Sequence, residues 1–218
     1  MVHEVLLEQI LDLPDARLLI EKAIDKLRQE QQRREKFYND IDESMKAEFI
    51  NGEMIVHSPV VIEHNEASGF LYQLLNVFVR KNKLGFVGIE KIMTVFTRND
   101  YEPDLVFFGN DKAKDFTKGQ SLFPVPDFVV EVLSKGTEKK DRGVKYNDYE
   151  SHQVGEYWII DPKNKVVEQY VLSKGNYELI LKSSEGSIKS RIVKGFEIPI
   201  PCIFDEALNF EILQKMLR

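Results

Sequence analysis

The chain has 218 residues, 43% hydrophobic and 30% charged, with 12 glycines, 8 prolines and one cysteine. That composition excludes collagen, low-complexity disorder and a disulfide-stapled mini-protein, and a chain of this length buries roughly 70% of its unfolded surface. The formal charge of −6 argues against an extended, sequence-blind DNA coat but leaves room for a nucleic-acid enzyme with one local basic face. No stretch reaches the ~18 uninterrupted apolar residues of a membrane span. The segment starting at Met1 carries acids where a secretory signal carries bases. Cys202 alone can neither form an internal disulfide nor anchor a structural zinc. A reduced cytoplasmic protein is the expectation.

Residues 15–36 read as a helix, with Asp15 placed to cap it. Ile20, Ala23, Ile24 and Leu27 form one apolar stripe at helical spacing. Beyond Leu27 the pattern is polar through Lys36, so Arg28–Lys36 is expected in solvent and the stripe against the core or a twin subunit. From Lys46 the pattern changes: 46–50 and 53–57 flank Asn51-Gly52, the favoured two-residue hairpin turn. A second helix is expected over 63–81, buried by Ala67, Leu71, Leu74, Leu75 and Phe78 and stopped by Gly85. Strands follow at 86–96, 103–108 and 127–133, with a polar loop over 109–124. A helix at 139–152, strands at 156–161, 166–172 and 177–181, and a short helix after Phe204 complete the pattern. Strands that are apolar on both faces, interleaved with helices, predict a mixed α/β (α+β) fold with a sheet covered on both sides. The chain divides into a helical arm, residues 1–40, and one domain, 41–218.

Two acids lie inside apolar strands. Asp104 opens the run Leu105–Phe108, and Glu131 sits within Phe128-Val-Val-Glu-Val-Leu. A buried carboxylate is costly unless it is paired with a base or ligates a cation, and two acids alone leave both readings open. Mg²⁺ prefers one or two carboxylates plus water and substrate phosphate, so the pair suits it. Residues 135–145 carry a net charge of +3, readable as a phosphate-backbone contact or as a solvated helix start. There is no Gly-x-Ser-x-Gly elbow for acyl transfer, and nothing suggests a sugar cleft.

Four segments extend the pattern. They are Glu102-Pro-Asp104-Leu-Val, Pro126-Asp-Phe-Val-Val-Glu131-Val-Leu-Ser, Asp141-Arg-Gly-Val-Lys145-Tyr-Asn-Asp-Tyr149 and Val154-Gly-Glu-Tyr-Trp-Ile-Ile-Asp161-Pro. In this order they resemble the restriction-endonuclease-like family called Uma-two, in the PD-(D/E)XK nuclease superfamily, from about Glu48 to Phe204. The resemblance implies a restriction-endonuclease-like core, a mixed sheet flanked by helices with an acidic metal site at one edge. It implies a metal-dependent endonuclease acting on DNA with Mg²⁺ or Mn²⁺. Asp104 and Glu131 look like the metal-binding acids. Leu133 stands where the superfamily has its lysine, and the resemblance moves that role to Lys145. His64 and Glu48 match family positions near the site, and Arg142 is expected to help bind substrate. Tyr149, Tyr157 and Trp158 match as well and are read as core. A homodimer is expected, because a duplex has two strands and symmetric enzymes match them. The alternative is a non-catalytic nucleic-acid or protein-binding module that keeps the fold.

Overall fold

The computed structural model describes residues 2–42 and 44–218. Two helices, α1 (Val2–Leu11) and α2 (Ala16–Asp40), precede the hairpin β1 (Ala47–Ile50) and β2 (Glu53–Val56). Then come α3 (Ile62–Asn82), β3 (Gly85–Ile89), β4 (Met93–Val95), β5 (Asp100–Tyr101), β6 (Leu105–Gly109), α4 (Asn110–Ala113), β7 (Leu122–Phe123) and β8 (Phe128–Val132). One further helical stretch consists of α5 (Glu138–Lys140), a π-helical turn (Asp141–Lys145) and α6 (Tyr146–Ser151). The chain continues with β9 (Glu156–Asp161), β10 (Val166–Ser173), β11 (Asn176–Ser183), β12 (Ser187–Lys189), β13 (Glu197–Pro199), a 3₁₀ turn (Ile200–Ile203) and α7 (Glu206–Leu217).

The central sheet has the order β11-β10-β9-β8-β6-β3; β8 and β9 run parallel and the other neighbours antiparallel. Parallel neighbours need a crossover, and the helix over 138–151 supplies it. Strand alternation sends Leu105, Phe107, Val130, Trp158 and Ile160 to one face, onto Ala67, Leu71, Leu74 and Leu75 of α3. Val106, Phe108, Val129, Tyr157 and Ile159 go to the other face, with Tyr149 and Tyr177. Each such side chain contributes about 1.5–3 kcal/mol when fully buried, which is why both faces are covered. A smaller sheet, β2-β1-β5-β4-β7, is appended. Its hairpin turns at Asn51 (φ 52°) and Gly52 (φ 85°), the two left-handed residues that a type I′ turn requires.

Several expectations are corrected. Lys83, in the left-handed conformation, caps α3, and Gly85 already belongs to β3. The expected strand 86–96 is two strands in different sheets. The 109–124 loop contains α4 and β7. The helix predicted to start at residue 15 runs to Asp40, and α1 precedes it. The largest correction concerns α2. Its apolar stripe does not pack on this chain: Ile20, Ile24 and Leu27 are exposed. The polar half docks instead, through buried Arg34 and Phe37. Arg34 Nε donates to Asp100 Oδ2 at 2.6 Å, Nη2 donates to Phe96 O at 2.7 Å and Asn99 O at 3.2 Å, and Nη1 donates to Thr97 O at 3.2 Å. Phe37 lies 5.7 Å from Phe49, ring centre to ring centre. A guanidinium has five donors in a fixed fork, and the 96–100 turn presents the acceptors that let it be buried.

Candidate active site

Asp104 and Glu131 meet because of strand register. β6 and β8 pair antiparallel with Leu105 across from Val130, so one further step brings Asp104 level with Glu131 on the same sheet face. Both are buried. Asp104 Oδ2 accepts from Val132 N at 2.8 Å and lies 3.3 Å from His64 Nε2. Lys46 Nζ donates to Asp104 Oδ1 at 3.2 Å and to Glu90 Oε2 at 2.6 Å. Burial alone would raise the Asp104 pKa, but the bonds from His64, Lys46 and the Val132 N–H hold it well below the carboxylate range. Asp104 is therefore an ionised oxygen donor.

Glu131 is built differently. Its Oε1 accepts from Lys145 Nζ at 2.9 Å and from Tyr149 OH at 2.8 Å. Lys145, 1% exposed, also reaches Glu48 Oε1 at 2.8 Å and Asp141 Oδ1 at 3.5 Å. Asp141, Lys145 and Tyr149 follow at i, i+4, i+8, and all three are buried. The wide π-helical turn carries Asp141 and Lys145, and such turns recur at functional sites. Burial pushes the Glu131 pKa up; Lys145 opposes this, and the neighbouring charges of Asp141, Asp104 and Glu48 add to it. For Lys145, desolvation favours the neutral form, but Glu131, Glu48 and Asp141 outweigh it and keep the ammonium charged. Lys145 is therefore a cationic donor and not a base. Glu48 completes the cluster: Oε1 accepts from Glu102 N at 3.0 Å, and Oε2 lies 3.1 Å from His57 Nε2. Burial raises the pKa of Glu102 to about 7.

The fold thus brings together Glu48, His64, Asp104, Glu131 and Lys145. Arg142 does not join them. Its guanidinium forks onto Glu168 of β10 at 2.7 and 3.0 Å and also meets Glu138, two acids outside the cluster. Tyr157 and Trp158 are core, as read; Tyr149 is core that also donates to Glu131. Cys202 is fully buried, and burial pushes its thiol up to about 12. Sequence reasoning missed Lys46, His57 and Asp141. Asp141 was findable, as an acid four residues before Lys145 on one helix face. Lys46 and His57 gave no local signal, since each acts across strands.

The donor set fits a hard divalent cation. Among the described residues no three His, Cys, Asp or Glu side chains converge as a ready-made ligand cage. Two carboxylates with open positions suffice for Mg²⁺. Glu48, Asp104, Glu131 and Asp141 are all buried and share two lysines, Lys46 and Lys145, and two histidines, His57 and His64, among the described residues. Both Asp141 oxygens are buried with no well-formed hydrogen bond among the described residues, and the nearest charge is the 3.5 Å contact with Lys145. An excess of buried acid is what a cation relieves.

Comparisons with known proteins bear on the fold and the family. The chain is similar in fold to the crystal structure of "a putative nuclease belonging to DUF820 from Anabaena variabilis ATCC 29413", with a TM-score of 0.67 and 17% identity, covering 78% of this chain and 96% of that one. No curated protein matches. The model of the Uma2 family, described as "Putative restriction endonuclease", matches residues 30–201. The chain belongs to the Uma2 family.

Proposed function

We propose that this protein is a divalent-metal-dependent endonuclease that hydrolyses phosphodiester bonds in DNA. The observation that carries this reading is a fully buried lysine held against Glu131, beside an ionised Asp104 immediately before the neighbouring strand. Asp104 and Glu131 would hold Mg²⁺ or Mn²⁺. When bound, such an ion lowers the pKa of a water and polarises the phosphate. His64 and Lys46 keep Asp104 ionised and fixed in direction. Tyr149 OH and Lys145 Nζ fix Glu131. Lys145, held in its charged form by the surrounding acids, would donate to the attacking water or to the phosphoryl oxygens on which charge builds. Lys135 and Lys139, exposed at the start of the same segment, suit phosphate-backbone contact.

The test is cleavage of plasmid and short duplex DNA with Mg²⁺ or Mn²⁺. The wild-type protein should cut, and Asp104→Ala should lose at least a hundredfold, since even losing a group that only orients a metal ligand costs about 10–100-fold. A wild-type protein inert on DNA with either ion would overturn the reading in favour of a non-catalytic binding module.

A further inference from the structure

We infer that the N-terminal arm is a dimerisation element, in which α1 of one protomer lies on the N-terminal half of α2 of a second copy of this chain. Residues 17–29 are all exposed, so about 20 Å of helix projects beyond the point where Glu30 and Arg34 tie α2 to the body. That projecting surface is not polar. Ten large apolar side chains between Val5 and Leu27 stand 36–58% exposed. Monomers rarely leave contiguous apolar patches of more than a few hundred Å² in water. About half the surface of ten such side chains approaches the ~800 Å² per partner of a standard interface.

Charge selects the occupant. Residues 2–15 carry Glu4, Glu8, Asp12 and Asp15 and no lysine or arginine. Residues 16–28 carry Arg17, Lys22, Lys26 and Arg28 against Glu21 and Asp25. Arg17 pairs with Glu21 at 2.9 Å and Arg28 with Asp25 at 3.3 Å, which leaves the positive balance on Lys22 and Lys26. An acidic helix and a basic helix on one arm are self-complementary under a two-fold axis, since each α1 then meets the partner's α2. An anionic membrane or nucleic acid would be repelled by α1. The inference stands apart from the nuclease reading, because its readout is mass and not cleavage.

Sedimentation equilibrium of the full chain from about 1 to 100 µM should give twice the chain mass. Ile20→Glu with Ile24→Glu should give the monomer mass with unchanged far-UV circular dichroism, because both side chains are in solvent in the single chain. Glu8→Lys/Asp12→Lys brings residues 2–15 from −4 to zero and removes their attraction for the basic half of α2, and Lys22→Glu/Lys26→Glu makes both helices acidic. Each should self-associate at least tenfold more weakly than wild type, and a one-to-one mixture should form heterodimers. This charge swap decides the matter even if the glutamate variant fails to fold. A wild-type protein that stays monomeric at 100 µM, a wild-type dimer unmoved by Ile20→Glu/Ile24→Glu, or a swapped pair that does not associate would each overturn the inference.

Discussion

At the scale of single residues, Lys145 holds the acids of the site together. Its ammonium is the nearest positive charge to Glu48, Glu131 and Asp141 at once. Lys145→Met keeps the length but leaves three buried acids uncompensated. The expected loss is about 3–5 kcal/mol in denaturant unfolding, and millimolar Mg²⁺ should recover part of it; a variant whose stability is the same with and without Mg²⁺ would contradict a cation site. Glu168 gives the pH dependence. Burial opposes its charge, but Arg142, Tyr170 and Lys182 hold its pKa down to about 2 from an ordinary 4.5. A depressed carboxylate contributes stability that is present above the unfolded pKa and is lost as pH falls through the folded one. The contribution should therefore fade between about pH 4.5 and 2. Glu168→Gln should cost about 2 kcal/mol at pH 7 and flatten that acid limb, as thermal melts across the range would record.

At the scale of elements, α2 works as two segments joined in one helix. Its docked half is held by Arg34 and Phe37, and the Uma2 match begins at residue 30, where Glu30 meets Arg98 at 2.8 Å. Arg34→Met leaves Asp100 buried without its main partner. We expect a loss of about 3–5 kcal/mol and faster proteolytic cutting within 16–40, followed by mass spectrometry; a variant as resistant as wild type would show that Phe37 alone holds the arm. The helix over 138–151 has a comparable division. Its inner face bears Asp141, Lys145 and Tyr149, while Arg142 turns outward to β10 and links the helix to the sheet.

At the scale of the whole molecule, the metal site proposed above predicts a coupling between cation and stability. A ligand that binds only the folded state stabilises it by RT ln(1 + [L]/Kd), about 2.7 kcal/mol at a hundredfold excess over Kd. Mg²⁺ should therefore raise Tm, and chelation should reverse the rise. Glu131→Gln keeps the shape and removes a buried charge whose pKa is already raised, so the fold should persist. The metal-dependent increment and the cleavage should both vanish, because an amide is a poor ligand for a hard cation. Melting curves of both proteins with and without Mg²⁺ check this; a wild-type Tm indifferent to the ion would remove the metal from the account.

The sequence alone determined what depends on local spacing. Asn51-Gly52 specifies its hairpin, the Ala67–Leu75 stripe its helix, and Glu156–Asp161 its strand, because each signal lies within a few residues. Acids in the apolar strands at 104 and 131 were legible for the same reason: a carboxylate breaks an apolar run wherever the strand lies in space. The family resemblance pointed to Lys145, which the helix period then places on the face of Asp141. Only the tertiary structure decided which face of α2 is buried. Arg34 reads as solvent in any window of its neighbours, yet Asp100 and the carbonyls of 96–99, more than sixty residues away, make its burial favourable. The same holds for Arg142, which Glu168 draws away from the acids, and for Lys46, which reaches Asp104 from just before β1. Hydrophobic period predicts where a side chain points along its own element; which partner waits there is fixed by chain crossings that no local pattern encodes.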